Sequence, residues 1–240
     1  MRALILAAGE GSRLRPLTEH VPKPMLEIAG RPILEHNVRL LARHGIHDIV
    51  INLHHHPEVV IDYFRDGAQF GVAISYSYEP ELLGTAGGLN PIRASLTSTF
   101  LVLYGDNLST CNIGNLLAVH ERSAAVATVA LFEREDVAAS GIVGLDRDDR
   151  ITRFLEKPRP EAVFSHWVNA GILALEPSAL EAIPRAGFSD FGRDVLPKLL
   201  ASGGKISGYR MTEELWWIDS LSDYERTRSA LRVTVLEDSP

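Results

Sequence analysis

An α/β fold is predicted, with a mixed and mainly parallel sheet carrying helices on both faces. Two observations predict it. Short apolar runs alternate with amphipathic stretches in the order β-α-β-α, and glycine or proline punctuates nearly every junction. The run "ALILAA" (3–8) reads as a strand buried on both faces. "PILEHNVRLLARHG" (32–45) reads as a helix, with Ile33, Leu34, Val38, Leu41 and Ala42 on one face and Gly45 ending it. "HDIVINL" (47–53) is the next strand, and "PEVVIDYFRDG" (57–67) a short helix opened by proline. "VAISYSY" (72–78) and "FLVLYGD" (100–106) are strands, with the helical segment "GGLNPIRASL" between them. "NIGNLLAVHERS" (112–123) is a helix.

The second half changes character. "AVATVALFE" (125–133) and "WVNAGILALE" (167–176) read as strands, and 141–158 as a hairpin turning around Arg147–Asp149. A helix over 191–203, a strand over 205–211 and a closing helix over 222–233 complete the chain. These strands are expected to extend the same sheet and add a small lobe. Ligands of such sheets bind beyond the carboxyl ends of the strands. That directs attention to the residues just after Ala8, Tyr78 and Leu103.

Composition bounds the function. The 240 residues are 45% hydrophobic and 23% charged, enough to bury a real core. A formal charge of −7 argues against nucleic acid as the main partner. The lone cysteine, Cys111, allows no intrachain disulfide, and no base beside it marks it as a nucleophile. No signal peptide and no apolar run of about 20 residues is present, so a cytoplasmic setting without membrane contact is expected.

The most informative stretch is "LILAAGEGSRLRPLTEHVPKPML". Glycines after a first strand let backbone amides approach a phosphate. Gly9 and Gly11 lack the third glycine of the dinucleotide fingerprint, which argues against a nicotinamide enzyme, and no G-K-S/T follows. By themselves they are equally a tight turn. Arg13 and Lys23, in a segment stiffened by Pro16, Pro22 and Pro24, add fixed cations suited to a triphosphate.

Here "LAAGEGSRLRPLT" and "PKPML" resemble the signature of the sugar-1-phosphate nucleotidylyltransferases. "LGTAGGL" (83–89), "YGDN" (104–107), "FLEKP" (154–158), "NAGIL" (169–173) and "WWID" (216–219) follow in family order. The resemblance implies a Rossmann-like nucleotidyltransferase domain over 1–240, with a nucleotide-binding core in 1–124. Residues 125–240 would form the sugar-phosphate-binding part. It implies Mg²⁺ as cofactor, and a nucleoside triphosphate and a sugar 1-phosphate as substrates. The protein would act as a monomer or homodimer. Arg13, Lys23, Asp106, Lys157 and Asp219 would be catalytic, with Asp106 and Asp219 holding the metal. Leu6, Ala8, Gly9, Gly11 and Ser12 would contact the nucleotide, with Gly84, Thr85, Gly105 and Asn107. Glu156, Asn169 and Gly141 would serve the sugar, Gly141 by allowing its close approach.

Glu79 is either a surface residue or the acceptor of guanine N1–H and its 2-amino group, a bidentate match unavailable to uracil or thymine. With the L-G-T-A-G form, this favours GTP with mannose or heptose 1-phosphate. Uridylyl, thymidylyl or cytidylyl transfer, or a catalytically silent regulatory subunit, are the alternatives. The histidine triplet 54–56 reads as a loop after a strand, since consecutive side chains diverge. After Asp219 the chain departs from the family pattern, with Ser220-Leu221-Ser222 where a glycine-based approach is usual. No C-terminal β-helix is expected.

Overall fold

The computed structural model describes residues 1–231. Two compact units divide them. One holds Met1–Leu82, Leu103–Asn112 and the stretch from Glu213 on; the other holds Leu83–Val102 and Ile113–Thr212.

The first unit is built on parallel pairing. Strand Arg2–Leu6 runs parallel to Asp48–Leu53, in register from Arg2 with Asp48 to Leu6 with Asn52. Asp48–Leu53 pairs in parallel with Ala73–Tyr78 on its other side. Ala3, Leu4, Ile5, Ile49 and Ile51 are fully buried, which is why the first two strands read as unbroken apolar runs. Helix Ile33–Arg43 connects them and buries Ile33, Leu34, Val38 and Leu41. Gly45 follows at φ +75°, the left-handed position at which helices commonly stop. Helix Pro57–Phe64 ends three residues earlier than its sequence pattern suggests, because Arg65 turns to positive φ.

Two short strand pairs in this unit were not legible in the sequence. Glu27–Ile28 pairs with Arg31–Pro32, and Leu108–Ser109 with Leu215–Trp216. Two residues carry no measurable period. The last helix spans Leu221–Ala230; the final two residues of the expected 222–233 lie outside the described residues.

The second unit is mixed. Strand Ala127–Glu133 lies antiparallel to Trp167–Leu175 and parallel to Ile206–Arg210. The expected hairpin pairs Gly141–Leu145 with Ile151–Glu156. Its turn is closed by Asp146, whose carboxylate accepts from the amides of Asp148 and Arg150, both at 2.9 Å. Two expected helices are irregular. "GGLNPIRASL" holds only a 3₁₀ turn at Asn90–Ser95, with Pro91 near its start, and a helical turn at Gly84–Gly87 leads into it. The 191–203 helix opens as a π turn over Phe191–Val195 and becomes α-helical only over Leu196–Ala201.

The architecture is the predicted one, a mixed and mainly parallel sheet with helices. Among the described residues, no helix is long and apolar enough to cross a membrane.

Candidate active site

Four of the charged residues singled out in the sequence meet in the first unit. The Lys23 Nζ lies 2.6 Å from Asp106 Oδ2 and 3.5 Å from Asp219 Oδ1. Arg13 reaches the same Asp219 oxygen at 3.1 Å. Exposure differs sharply along this chain of charges. The Lys23 side chain is 6% exposed, while those of Asp106, Asp219 and Arg13 are 37%, 29% and 66% exposed. Lys23 is therefore the buried pivot, and Arg13 the arm that faces solvent.

Apolar neighbours explain why residues up to 206 positions apart converge. Leu14 follows Arg13, Leu108 lies two residues after Asp106, and Ile218 precedes Asp219. All three belong to one buried cluster with Leu26, Ile28, Ile33, Tyr224 and Leu231. Pairing of Leu108 with Trp216 sets the register between the two aspartate loops. The Tyr224 hydroxyl donates to the Glu27 carbonyl at 3.0 Å and ties the last helix to the same layer. Ser220 caps that helix: its Oγ accepts from the Asp223 amide and donates to the Asp223 carboxylate. The departure after Asp219 is thus a helix start.

The glycines of the opening loop differ in role. A Cβ on Gly9 would meet nothing within 4 Å. Gly11 sits at φ +61°, and a Cβ there would lie 2.9 Å from Lys23 Cβ and 3.1 Å from Thr18 Cγ2. Gly11 is therefore required for the buried lysine to pass beneath the loop. Ser12 opens the 3₁₀ turn that carries Arg13. Gly105 donates its amide to the Leu6 carbonyl at 2.9 Å, and a Cβ there would lie 2.8 Å from Ile5 Cγ2. Ala8 is buried, and the Asn107 carbonyl accepts from Asn37 Nδ2 at 3.0 Å.

Glu79 is no surface residue: it is 1% exposed. Its Oε1 accepts from Asn52 Nδ2 at 2.7 Å, and Asn52 Oδ1 accepts from the Ala7 amide at 2.6 Å. This chain crosses the carboxyl ends of three parallel strands just before the glycine loop. Asn52 was missed in the sequence, where it reads as one polar residue within an apolar strand. Cys111 is buried, and burial first, then Glu213, pushes its thiol well above the ordinary range. It is no nucleophile.

Two carboxylates converging on one cation have the chemistry of a magnesium site. A hard divalent ion takes carboxylate oxygens and completes its shell from water and phosphate. Asp106 and Asp219 fit that demand: their oxygens already face one ammonium and are partly exposed. Among the described residues, no group of three or more His, Cys, Asp or Glu side chains could hold a metal.

The second unit holds a different arrangement, centred on Glu156. A Cβ on Gly141 would lie 2.5 Å from Glu156 Oε2, and one on Gly192 would collide with the same oxygen. The two glycines form a cradle for this carboxylate, so the room that Gly141 leaves is taken by Glu156. Burial raises the Glu156 carboxyl above its ordinary range, and the charge of Asp190 adds to the effect. Lys157 follows in a left-handed conformation, φ +48°, with its amide donated to Ser140. Its side chain is exposed and lowers the Glu156 carboxyl in opposition to Asp190. Asn169 Oδ1 accepts from the Gly171 amide at 2.9 Å and shapes the bulge in its strand.

Asp190 was also missed. Its Oδ1 accepts from Gly192 and Arg193 amides, and its Oδ2 from the Thr85 hydroxyl at 2.8 Å. Thr85 accepts in turn from the Phe191 amide at 2.9 Å. A Cβ on Gly84, at φ +78°, would lie 2.5 Å from the Ser189 carbonyl. The signal available was an aspartate immediately before an apolar-periodic run, the ordinary mark of a helix start.

A family model described as nucleotidyl transferase matches residues 2–225. The UTP–glucose-1-phosphate uridylyltransferase of Synechocystis sp. is 37% identical over 233 residues, covering 91% of this chain and 60% of that protein. The mannose-1-phosphate guanylyltransferase of Mycobacterium tuberculosis is 36% identical over 219 residues, covering 90% of this chain and 60% of that protein. The chain thus spans about 60% of the length of these two relatives. In fold it is similar to HddC from Yersinia pseudotuberculosis complexed with GMP-PN. The TM-score is 0.79 at 24% identity, covering 95% of this chain and 98% of that one.

Proposed function

We propose that this chain, which belongs to the nucleotidyl transferase family, transfers a nucleoside monophosphate from a triphosphate to a sugar 1-phosphate. An oxygen of the sugar phosphate attacks the α-phosphorus. The bond from that phosphorus to the oxygen bridging to the β-phosphorus breaks, and pyrophosphate leaves. The observation that carries this reading is the Arg13–Asp219–Lys23–Asp106 cluster.

Attack of one anion on another is limited by charge and alignment, so positioned cations dominate catalysis. Arg13, exposed and forked, binds phosphate oxygens of the departing pyrophosphate. Lys23 holds the two aspartates together and offers its charge from beneath. Asp106 and Asp219 hold magnesium; when bound, the ion neutralises phosphate charge and helps align the reacting group. Leu6, Ala8, Gly9, Gly11 and Ser12, with Gly84, Thr85, Gly105 and Asn107, accommodate the nucleotide. Lys157 binds the sugar phosphate, and Glu156 and Asn169 accept from or donate to sugar hydroxyls. This reading places the protein in the cytoplasm, as a monomer or homodimer.

GTP with mannose or heptose 1-phosphate is the pairing proposed first, supported by the guanylyltransferase relative and by the carboxylate at Glu79. The uridylyltransferase relative supports UTP as the second reading. A matrix of four triphosphates against a panel of sugar 1-phosphates, read by pyrophosphate release, tests both. Release is expected only with magnesium and both substrates present. No turnover anywhere in the matrix would sink the proposal. Glu79→Gln keeps the shape and an acceptor for Asn52, so it isolates the charge. It is expected to weaken GTP use far more than UTP use; equal loss would leave Glu79 as the Asn52 partner alone.

A further inference from the structure

His55 and His56, in the histidine triplet after strand Asp48–Leu53, belong to none of the groups described above. His55 Nε2 lies 3.1 Å from the Thr18 carbonyl, and His56 Nε2 lies 2.9 Å from the Glu19 carbonyl. His54 Nδ1 lies 2.7 Å from the Glu79 carbonyl. A carbonyl oxygen only accepts, so each facing nitrogen carries the hydrogen. His56 Nδ1 also faces a Glu58 carboxylate oxygen at 3.1 Å, so this ring has an acceptor on each side. Those two acceptors, Glu58 first, raise the His56 pKa.

The carbonyls facing His55 and His56 belong to the far end of the glycine loop. Within that loop the Leu14, Leu17 and Glu19 amides bond to carbonyls three residues earlier and reach no other element. Thr18 is fully buried, and its hydroxyl donates to the Gly11 carbonyl at 2.8 Å. Its Cγ2 closes off the space beside Gly11. A continuous path therefore runs from the imidazoles, through Thr18 and Glu19, to Gly11 and the turn that carries Arg13.

We propose that His55 and His56 are positioning residues that latch the glycine loop to the second strand and thereby set the affinity for the triphosphate. This rests on the nucleotidyl-transfer reading. The latch consists of two imidazole N–H groups on two consecutive loop carbonyls. It explains why adjacent histidines are used: each serves one of two adjacent carbonyls.

The test compares wild type, H55A/H56A and H55Q/H56Q in the full chain. Glutamine places an amide N–H near the position of Nε2. Hydrogen exchange of the ligand-free proteins is expected to quicken about tenfold across residues 10–20 in the alanine variant, and to return towards wild type with glutamine. The dissociation constants for GTP and UTP should rise about tenfold in the alanine variant, the effect of one or two lost hydrogen bonds, and recover with glutamine. The KM for the sugar 1-phosphate should hold. Wild-type binding of GTP or UTP with unchanged affinity in H55A/H56A overturns the latch alone. Failure of wild type to bind any triphosphate sinks the reaction reading and the latch with it. Should the alanine variant not fold, nitrogen-15 spectra of the wild-type imidazoles decide: an unprotonated Nε2 on either ring overturns the proposal.

Discussion

Lys23 shows how much one residue's surroundings alter its chemistry. In the sequence it is one of two cations beside a glycine loop. In the structure it is buried between two carboxylates, while Arg13 is the exposed partner. Removing the charge of Lys23 takes from Asp106 the cation 2.6 Å away and leaves Asp219 with the exposed Arg13 as its counter-charge. Lys23→Met is expected to lower turnover by roughly 10²–10³-fold and to reduce stability, as breaking a buried pair does. Steady-state pyrophosphate release and urea unfolding check the two effects. Glu156 makes a prediction in pH. Its folded pKa is raised, so its contribution to stability is present below the ordinary carboxylate range and is lost as pH rises through the raised value. Binding runs the other way, because only the carboxylate accepts fully from sugar hydroxyls. The KM for the sugar 1-phosphate should therefore fall as pH rises through that value, and Glu156→Gln should remove the dependence. A dependence unchanged by the substitution would take Glu156 out of the sugar site. None of this pKa behaviour was legible in "FLEKP", since burial beside Asp190 comes from residues over thirty positions away.

Elements make the site by what they bury. The clamp residues Arg13, Lys23, Asp106 and Asp219 lie on short 3₁₀ turns and loops, and the cluster containing Leu14, Leu108 and Ile218 brings those segments together. Ser220 starts the helix whose Tyr224 packs into that cluster, so its cap supports the clamp at one remove. Ser220→Ala should cost about 1 kcal/mol of stability, the usual loss of a helix cap, whereas exposed Ser222→Ala should cost less than about 0.5 kcal/mol. Denaturant titration of both variants measures the difference, and equal values would deny Ser220 its capping role. Long elements were legible because their apolar period repeats over enough residues. The two-residue strands and the π turn at Phe191–Val195 were not, since they are held by Trp216 pairing with Leu108 and by the side chain of Asp190.

At the scale of the molecule, the chemistry divides between two units. The Arg13–Asp219–Lys23–Asp106 cluster lies in the first, and the Glu156 cradle lies in the second. Substitutions should sort accordingly. Arg13→Ala is expected to raise the KM for the triphosphate, and Gly192→Ala, whose Cβ would displace the Glu156 carboxylate, to raise that for the sugar 1-phosphate. Each change should be about tenfold in its own constant, on the scale of one charge-assisted hydrogen bond. A full matrix of KM values for both substrates checks the sorting, and effects spread evenly over both constants would refute it. The sequence by itself determined the α/β class, the long strands and helices, and the identity of the charged residues, because periodicity and residue chemistry are local properties. Tertiary structure alone decided which cation is buried, what Gly11 and Gly141 make room for, and that Asn52, Asp190 and the histidines hold the loops. Each of those facts is a contact between distant positions, created when apolar neighbours are buried together.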